Sequence, residues 1–183
     1  MREILGKVKN RVLDAMFPAT CMGCGKEGRY VCERCTLFLV EAEPVCPRCS
    51  LGSITGIIHP HCQKGEGLDG VVSCWEHEGL MKTMLHTIRG GVTHAIPDTV
   101  DLAFQQLLRA RERYVPFFHT LLSKESAITF VPLFPRRERR QGFNQAALIA
   151  QAVGQIGKKQ VLPLLKKLHD ISLRGEWDTE KRR

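Results

Sequence analysis

The chain has 183 residues, of which 43% are hydrophobic and 25% are charged, values that are normal for a soluble globular protein. No apolar stretch approaches the roughly 20 residues that span a bilayer, and the N-terminus lacks the charged, apolar and small-residue order of a secretory signal. We therefore expect a cytoplasmic protein without membrane insertion. The net charge of +8 suits a phosphate-bearing ligand or nucleic acid, although a solvated basic surface would give the same balance.

The N-terminal third predicts one helix and one long segment without regular structure. Apolar residues recur at helical spacing within residues 1–17, with basic residues between them, and Pro18 ends this amphipathic helix. We expect the helix to pack on the body of the protein rather than to anchor it in a membrane. Residues 21–62 are rich in turns and poor in periodicity, so ligands rather than a hydrophobic core must hold them together.

The rest of the chain predicts alternating strands and helices. Short strand-like runs occupy residues 71–75 and 127–131. Four helices follow from the apolar periodicity, at residues 79–89, 98–113, 117–122 and 144–156. Gly90 and Gly91 end the first of these helices, and Pro116 separates the second from the third. This alternation after residue 68 predicts an α/β fold.

Cysteine spacing is the strongest signal in the sequence. Seven of the eight cysteines lie between Cys21 and Cys62, in three Cys-x-x-Cys pairs and one His-x-x-Cys pair. This spacing bends the backbone into a knuckle that presents two donors to one metal ion. The predicted metal ligands are Cys21, Cys24, Cys32, Cys35, Cys46, Cys49, His59 and Cys62. Four soft ligands complete a closed tetrahedral site, so the sequence predicts two structural zinc ions.

Several details of these zinc sites stay open. The simplest pairing is sequential, with residues 21–35 forming one site and residues 46–62 the other, but a crossed pairing is compatible with the spacing. His61 is an alternative to His59, although only His59 keeps the repeated spacing. Free thiols or disulfides are the competing interpretation, which the Cys-x-x-Cys grouping and the missing secretory signal disfavour. Cys74 lies outside the pattern and is expected to be a buried small hydrophobe.

A basic segment follows the second predicted strand. That strand ends at Pro132, a basic loop comes next, and Gly142 and Asn144 open the last helix. In open α/β sheets, ligands bind beyond the carboxyl ends of strands. Arginine side chains at that position could hold phosphates bidentately, and the alternative is a solvated loop. The arginines of this segment are Arg136, Arg137, Arg139 and Arg140.

Three stretches of the sequence resemble the ComF family, the competence-linked proteins similar to phosphoribosyltransferases. The first runs from Leu13 to Pro18 into the Cys21-x-x-Cys24 knuckle, and the second from Leu68 through Gly79 to a helix ending at Arg89. The third and most specific comprises Val131-Pro132-Leu133, Arg136, Arg137, Arg140 and Gly142-Phe143-Asn144-Gln145. Together these stretches extend the resemblance over essentially the whole chain.

The resemblance implies a double zinc ribbon followed by a type I phosphoribosyltransferase-like α/β domain. Arg89 would meet pyrophosphate where the family usually has Lys, and Val92 stands where the family has Gly. The candidate phosphate-binding residues are Arg89, Arg136, Arg137 and Arg140. Magnesium would be a further cofactor only if transferase activity is retained.

The C-terminal part departs from the family pattern. Arg174, Trp177 and Arg182 occupy positions where the family's flexible loop usually carries Gln, Leu and Arg. The phosphoribosyl-pyrophosphate signature, an apolar strand with two adjacent acids and a Gly/Thr turn, is not found within residues 1–183. We therefore expect a phosphoribosyltransferase-like domain that is truncated before this loop and does not turn over.

The expected organisation is an N-terminal helix at 1–18, a double zinc ribbon at 19–66 and the truncated domain at 67–183. Three functions compete. The first is a ComF-like zinc-binding protein that acts with competence or DNA-uptake proteins, and the second is an active phosphoribosyltransferase or a fragment of one. The third is a nucleic-acid-binding zinc ribbon, with weak binding of polyanions or single-stranded nucleic acid. Direct base recognition is disfavoured, because Tyr30 and Phe38 are the only aromatic residues of the cysteine-rich segment.

Overall fold

The computed structural model describes residues 18–63 and 67–169. The helix predicted within residues 1–17 lies outside the described residues, as do Arg174, Trp177 and Arg182. The chain divides into two compact units, with the boundary between Ser126 and Ala127. In the described part of the chain, no helix is both long and apolar enough to cross a membrane.

Helices dominate the regular structure of both units. The described residues contain six α-helices: α1 (Glu33–Thr36), α2 (Gly79–Arg89), α3 (Ile96–Arg109), α4 (Val115–Leu122), α5 (Pro135–Gln141) and α6 (Gln145–Gly157). Two short 3-10 turns complete the set, at Pro60–Cys62 and Thr93–Ala95.

The helices predicted at 79–89 and 144–156 are confirmed. Helix α2 ends at Gly90, whose N–H donates to the carbonyl of His86 at 2.8 Å. Helix α6 begins after Asn144, whose side-chain oxygen accepts a hydrogen bond from the Ala146 N–H at 3.0 Å. The same Asn144 side chain donates to the carbonyl of Val131, so this buried residue joins the start of α6 to the preceding extended segment.

The prolines are placed differently from the prediction. Helix α3 starts two residues earlier than expected, with Pro97 in its first turn, and it ends at Arg109 rather than at 113. Pro116 lies in the first turn of α4 and does not break a helix. A proline is tolerated there because the missing N–H would have no partner in the first turn.

The basic segment is a helix and not the predicted loop. Pro135 begins α5, and Gly142 ends it with a positive φ of 84°. Arginine, glutamate and glutamine between these two residues are good helix formers, which explains the outcome.

Pairing of extended backbone is sparse. In the described residues, isolated bridges take the place of the two predicted strands: Trp75 pairs with Glu41, and Ile128 pairs with Val161 in parallel. The predicted order is confirmed at a coarser level, as a cysteine-rich region followed by a helical region, and the α/β fold of the later region stays a prediction. The backbone of residues 71–75 pairs with the turn-rich cysteine segment, through bonds to Gly56 and Ala42, and that segment provides no regular strand. Pro132 ends the run at 127–131 because it lacks an N–H for pairing.

The core of the first unit is built from residues spaced three or four apart on two helices. Met84 and Ile88 of α2 are almost fully buried, and Val100, Phe104 and Leu107 of α3 are also buried. The segment between these helices contributes Ala95 and Ile96. The cysteine-rich region packs against this helical core, because Cys21, Cys35 and Met84 belong to one buried cluster.

Candidate metal centres

The eight predicted ligands form two groups of four in the sequential order. In each group, the ligand atoms lie within 4.8 Å of one another. The first site contains Cys21, Cys24, Cys32 and Cys35, and the second contains Cys46, Cys49, His59 and Cys62. The crossed pairing that the spacing left open is not the arrangement in the structure.

The first ligand pair of each site lies on its own backbone knuckle, and the two knuckles have equivalent hydrogen bonds. In the first site, Cys21 N–H donates to the carbonyl of Lys26 and Gly25 N–H donates back to the carbonyl of Cys21, both at 2.8 Å. In the second site, Cys46 N–H donates to Leu51 at 2.8 Å and Ser50 N–H donates to Cys46 at 2.9 Å.

The two knuckles also share positive φ angles and flanking β-bridges at equivalent positions. Gly25 and Ser50 occupy equivalent positions, with φ of 75° and 60°. The bridge between Thr20 and Glu27 corresponds to the bridge between Val45 and Gly52. A non-glycine residue such as Ser50 rarely adopts a positive φ, so the shared conformation of Gly25 and Ser50 is a specific feature of both halves. The cysteine-rich region thus contains an internal structural duplication.

The second ligand pair of each site flanks a short helical turn. Cys32 precedes α1, and Cys35 lies within that helix. His59 precedes the 3-10 turn that ends at Cys62, whose N–H donates to the carbonyl of His59 at 2.8 Å. A spacing of three residues on a helical turn brings both donors to one side.

In the first site, the sulfur atoms differ in their preference for charge. Burial disfavours the Cys21 thiolate, but the backbone N–H groups of Cys32, Cys24 and Gly23 outweigh that cost and lower the Cys21 pKa to about 6. Burial raises the pKa of Cys35 to about 12, and the neighbouring sulfurs act in the same direction. A full set of thiolates therefore needs a bound cation to offset the mutual repulsion.

The second site shows the same division. Burial disfavours the Cys46 thiolate, while backbone N–H groups, led by those of Cys49 and His59, lower the Cys46 pKa to about 6. Burial and the nearby sulfurs raise the pKa of Cys62 to about 11.

The His59 ring is oriented by a backbone carbonyl. Its Nδ1 lies 3.4 Å from the Cys49 sulfur, and its Nε2 lies 3.1 Å from the carbonyl oxygen of Gly52. A hydrogen bond from Nε2 to this oxygen leaves Nδ1 unprotonated and directed at the metal position. His61 stacks on His59 with ring centroids 5.1 Å apart and is not one of the four clustered ligands.

The first site is part of the hydrophobic core. Its ligands Cys21 and Cys35 belong to a buried cluster that contains Met84 of α2. The other members and their half-buried neighbours are Val31, Leu39, Met22, Cys32, Trp75, Leu80, Met81 and Leu102. None of the second-site ligands belongs to this cluster, and the residues Leu51 and Ile54 near that site are largely exposed.

A glycine permits this close packing. A Cβ atom at Gly23 would lie 2.8 Å from the Cys35 sulfur and 3.3 Å from Leu80 of α2. Any larger residue would separate the knuckle from the ligand and the helix. Gly23 therefore allows the first knuckle to contact Cys35 and α2 at the same time.

The donor sets fit zinc. Four sulfurs, or three sulfurs and one imidazole nitrogen, are the ligand types of structural zinc sites, and both groups are closed without an open coordination position. Backbone N–H groups that point at the sulfurs supply the further hydrogen bonds that tune such a site.

The remaining candidates lie elsewhere. Arg89 is exposed in the last turn of α2, whereas Arg136, Arg137 and Arg140 lie on α5, in the second unit. The structure therefore does not assemble the four arginines into one site within a unit. Cys74 is half-buried, and burial raises its pKa to about 11, as expected for an inert thiol.

Ligand spacing predicted the eight donors but not how the two sites differ. The shared knuckle hydrogen bonds have a weak sequence signal in the turn residues Gly25 and Ser50. The inclusion of Cys21 and Cys35 in a core with α2 has no local signal, because these cysteines and Met84 are far apart in the chain.

We expect loss of the first metal to weaken α2 and loss of the second to have a local effect. Cys24 is an exposed ligand outside the buried cluster, so Cys24→Ser removes a metal ligand without altering the core itself. Zinc content should fall by one ion, and the helices of the first unit should melt earlier, since each structural ion contributes on the order of 10 kcal/mol.

Cys49→Ser is the matched control, because it removes one ligand of the second site. It should also lose one ion but retain most of the helical melting transition followed by circular dichroism. Equal melting temperatures for the two variants would contradict the unequal roles of the sites.

Comparison with known proteins is consistent with this geometry. Residues 12–64 match the family model of the double zinc ribbon domain, although residues 12–17 and 64 lie outside the described part of the structure. No curated protein and no solved structure matches the chain. The cysteine-rich region of this chain is a double zinc ribbon domain with two zinc-binding sites.

Proposed function

We propose that this protein uses its double zinc ribbon as a rigid interaction module held by two structural zinc ions. The carrying observation is that all eight ligands are used up in two closed groups of four. A catalytic zinc ion needs an open position for water or substrate, and neither group provides one. In this proposal Cys21, Cys24, Cys32 and Cys35 hold one ion, and Cys46, Cys49, His59 and Cys62 hold the other.

Bound zinc would supply the positive charge that keeps the thiolates together. This explains how a segment with few buried apolar residues of its own can fold. The exposed apolar residues of the ribbon include Leu37, Phe38 and Ile54, which are 84%, 67% and 88% exposed. In this proposal, the adjacent exposed pair Leu37 and Phe38 supplies an apolar contact with another protein.

We further propose a ComF-like role linked to DNA uptake, in which residues 67–183 are related to phosphoribosyltransferases. The order of the sequence motifs supports this proposal. A structural feature of the second unit is also compatible with it: Ile128 N–H donates to Gln160 at 3.1 Å, and Leu162 N–H donates to Ile128 at 2.8 Å. These are the bonds of a parallel bridge, and α5 and α6 lie between the two bridged residues in the sequence.

Parallel pairing requires a crossover connection, which a helix usually supplies. The isolated parallel bridge between Ile128 and Val161, with helices between the two residues in the sequence, is compatible with one βαβ unit of an α/β fold and supports this proposal. Helix α5, with its arginines, follows the first extended segment of this unit, where α/β proteins bind ligands. Turnover is not expected, because the signature that would hold the 5-phosphate and the ribose is not present within residues 1–183.

The charge distribution favours a polyanion as a partner of the second unit. Its described residues, 127–169, contain eight Lys and Arg residues but only one acidic residue, Glu138. In the described residues of the first unit, ten basic residues face eleven acidic ones. The positive charge of the described residues is therefore concentrated after Ser126, where single-stranded nucleic acid or another polyanion would bind weakly.

Zinc analysis tests the main proposal. Protein purified without chelator should contain two zinc ions per chain, and cobalt substitution should give the visible absorption of two tetrahedral thiolate sites. Chelation should unfold the ribbon, because the thiolates then repel one another. A zinc content near zero, with thiol titration showing fewer than eight free cysteines, would contradict the proposal.

Salt-dependent binding tests the second unit. A fluorescent single-stranded oligonucleotide should bind weakly. Arg136→Gln combined with Arg140→Gln should flatten the dependence of log affinity on log salt, by roughly 0.7 for each phosphate that is no longer neutralised. Arg34→Gln, which replaces an exposed arginine of the ribbon, is the control and should leave the slope unchanged.

Binding of phosphoribosyl pyrophosphate with magnesium distinguishes nonspecific attraction by positive charge from binding in an ordered substrate site. Calorimetry should show only weak, salt-sensitive binding and no turnover, because concentrated charge attracts an anion without orienting it. Tight binding that survives moderate salt would contradict the expectation that this chain lacks a working transferase site.

A further inference from the structure

A concave surface in the first unit lies apart from the zinc sites. This cleft has a volume of about 460 Å³, within the range of small-ligand sites. Its lining residues are Glu41, Arg109, Ala110, Arg111, Glu112 and Arg113. Three arginines thus line the cleft together with two carboxylates, that of Glu41 from the cysteine-rich region and that of Glu112 from the same turn as the arginines.

The backbone that carries the arginines is held in place. The Arg113 N–H donates to the carbonyl of Ala110 at 2.9 Å, and the Tyr114 N–H donates to the carbonyl of Arg111 at 3.2 Å. Leu107 and Tyr114, on the two sides of the turn, are 4% and 5% exposed. The buried side chains anchor the turn, and the arginines extend from it.

No ion pair neutralises these guanidinium groups in the described part of the chain. Among residues 18–63 and 67–169, the ion pair within 4.0 Å is that of Arg29 with Glu33, far along the chain from this turn. In the cleft, Glu41 is already engaged, because its Oε1 accepts a hydrogen bond from the Gln106 amide. Arg109 and Arg111 therefore keep their donors available for a ligand.

This positive charge is local. The described part of the first unit has slightly more acidic than basic residues, so the three arginines are not a sample of a generally basic surface. A long polyanion would gain little from the described part of this unit, in which basic and acidic residues nearly balance. A small, compact anion matches the size and the charge of the cleft better.

We propose that the cleft binds a small phosphate monoester, with Arg109 and Arg111 holding the phosphate. Arg113 contributes positive charge to the cleft, since its side chain is hydrogen-bonded to that of Tyr114. Guanidinium groups match phosphate oxygens with paired N–H donors, and a phosphate dianion offers enough acceptors for several of them. The second oxygen of Glu41 accepts a hydrogen bond from a hydroxyl group next to the phosphate. This site goes beyond the proposed role of the zinc ribbon and does not depend on it.

Calorimetry with inorganic phosphate and glycerol 3-phosphate tests the site. Both probes should bind saturably to the full zinc-loaded chain, glycerol 3-phosphate more tightly. Arg111→Gln should weaken both by roughly tenfold or more, as expected when a charge-assisted hydrogen bond is removed. Arg34→Gln, which replaces an exposed arginine outside the cleft, should have no effect.

A second variant tests the role of Glu41. Glu41→Gln removes a negative charge, so inorganic phosphate should bind more tightly while the preference for glycerol 3-phosphate decreases. Zinc content and melting temperature verify that each variant is folded. Absence of saturable binding to the parent chain, or an equal loss in Arg34→Gln, would overturn the proposal.

Discussion

Four sulfur atoms within 4.8 Å of one another, two of them in a hydrophobic core, are the constraint on which the first unit depends. Such a group is costly to bury when it is charged, and it gives no specific geometry when it is neutral. A divalent cation resolves both problems, since it offsets the charge of the thiolates and fixes their directions. Met84 and Leu80 of α2 pack on this group, so the helices of the first unit are built on a metal site.

The two halves of the ribbon share a knuckle but differ in what surrounds them. Equivalent hydrogen bonds and positive φ angles at Gly25 and Ser50 indicate one duplicated element. Two ligands of the first copy pack with α2 in the hydrophobic core, while no ligand of the second copy belongs to that core. A duplication of this kind allows one site to stabilise the unit and the other to shape its surface. This unequal packing explains why a shared ligand pattern does not imply an equal contribution to stability.

Sequence reasoning predicted the features whose physical causes are local. Ligand spacing predicted both groups of donors, and apolar periodicity with glycine and asparagine signals located α2 and α6. It was wrong where a residue has two compatible roles: Pro116 begins a helix instead of breaking one, and the arginine segment forms α5 instead of a loop. The packing of Cys35 with Met84 and the cleft between Glu41 and Arg111 join distant parts of the chain, which no local pattern encodes.

Hydrogen exchange of the intact protein before and after zinc removal tests the central claim most directly. If the first zinc site is part of the core, the amides of Gly79–Arg89 should lose protection when zinc is chelated under reducing conditions, because Met84 and Leu80 lose the surface on which they pack. The amides of Gln145–Gly157, in the second unit, provide the internal reference and should change much less. Full protection of Gly79–Arg89 after both ions are removed would contradict the dependence of the helical core on the metal.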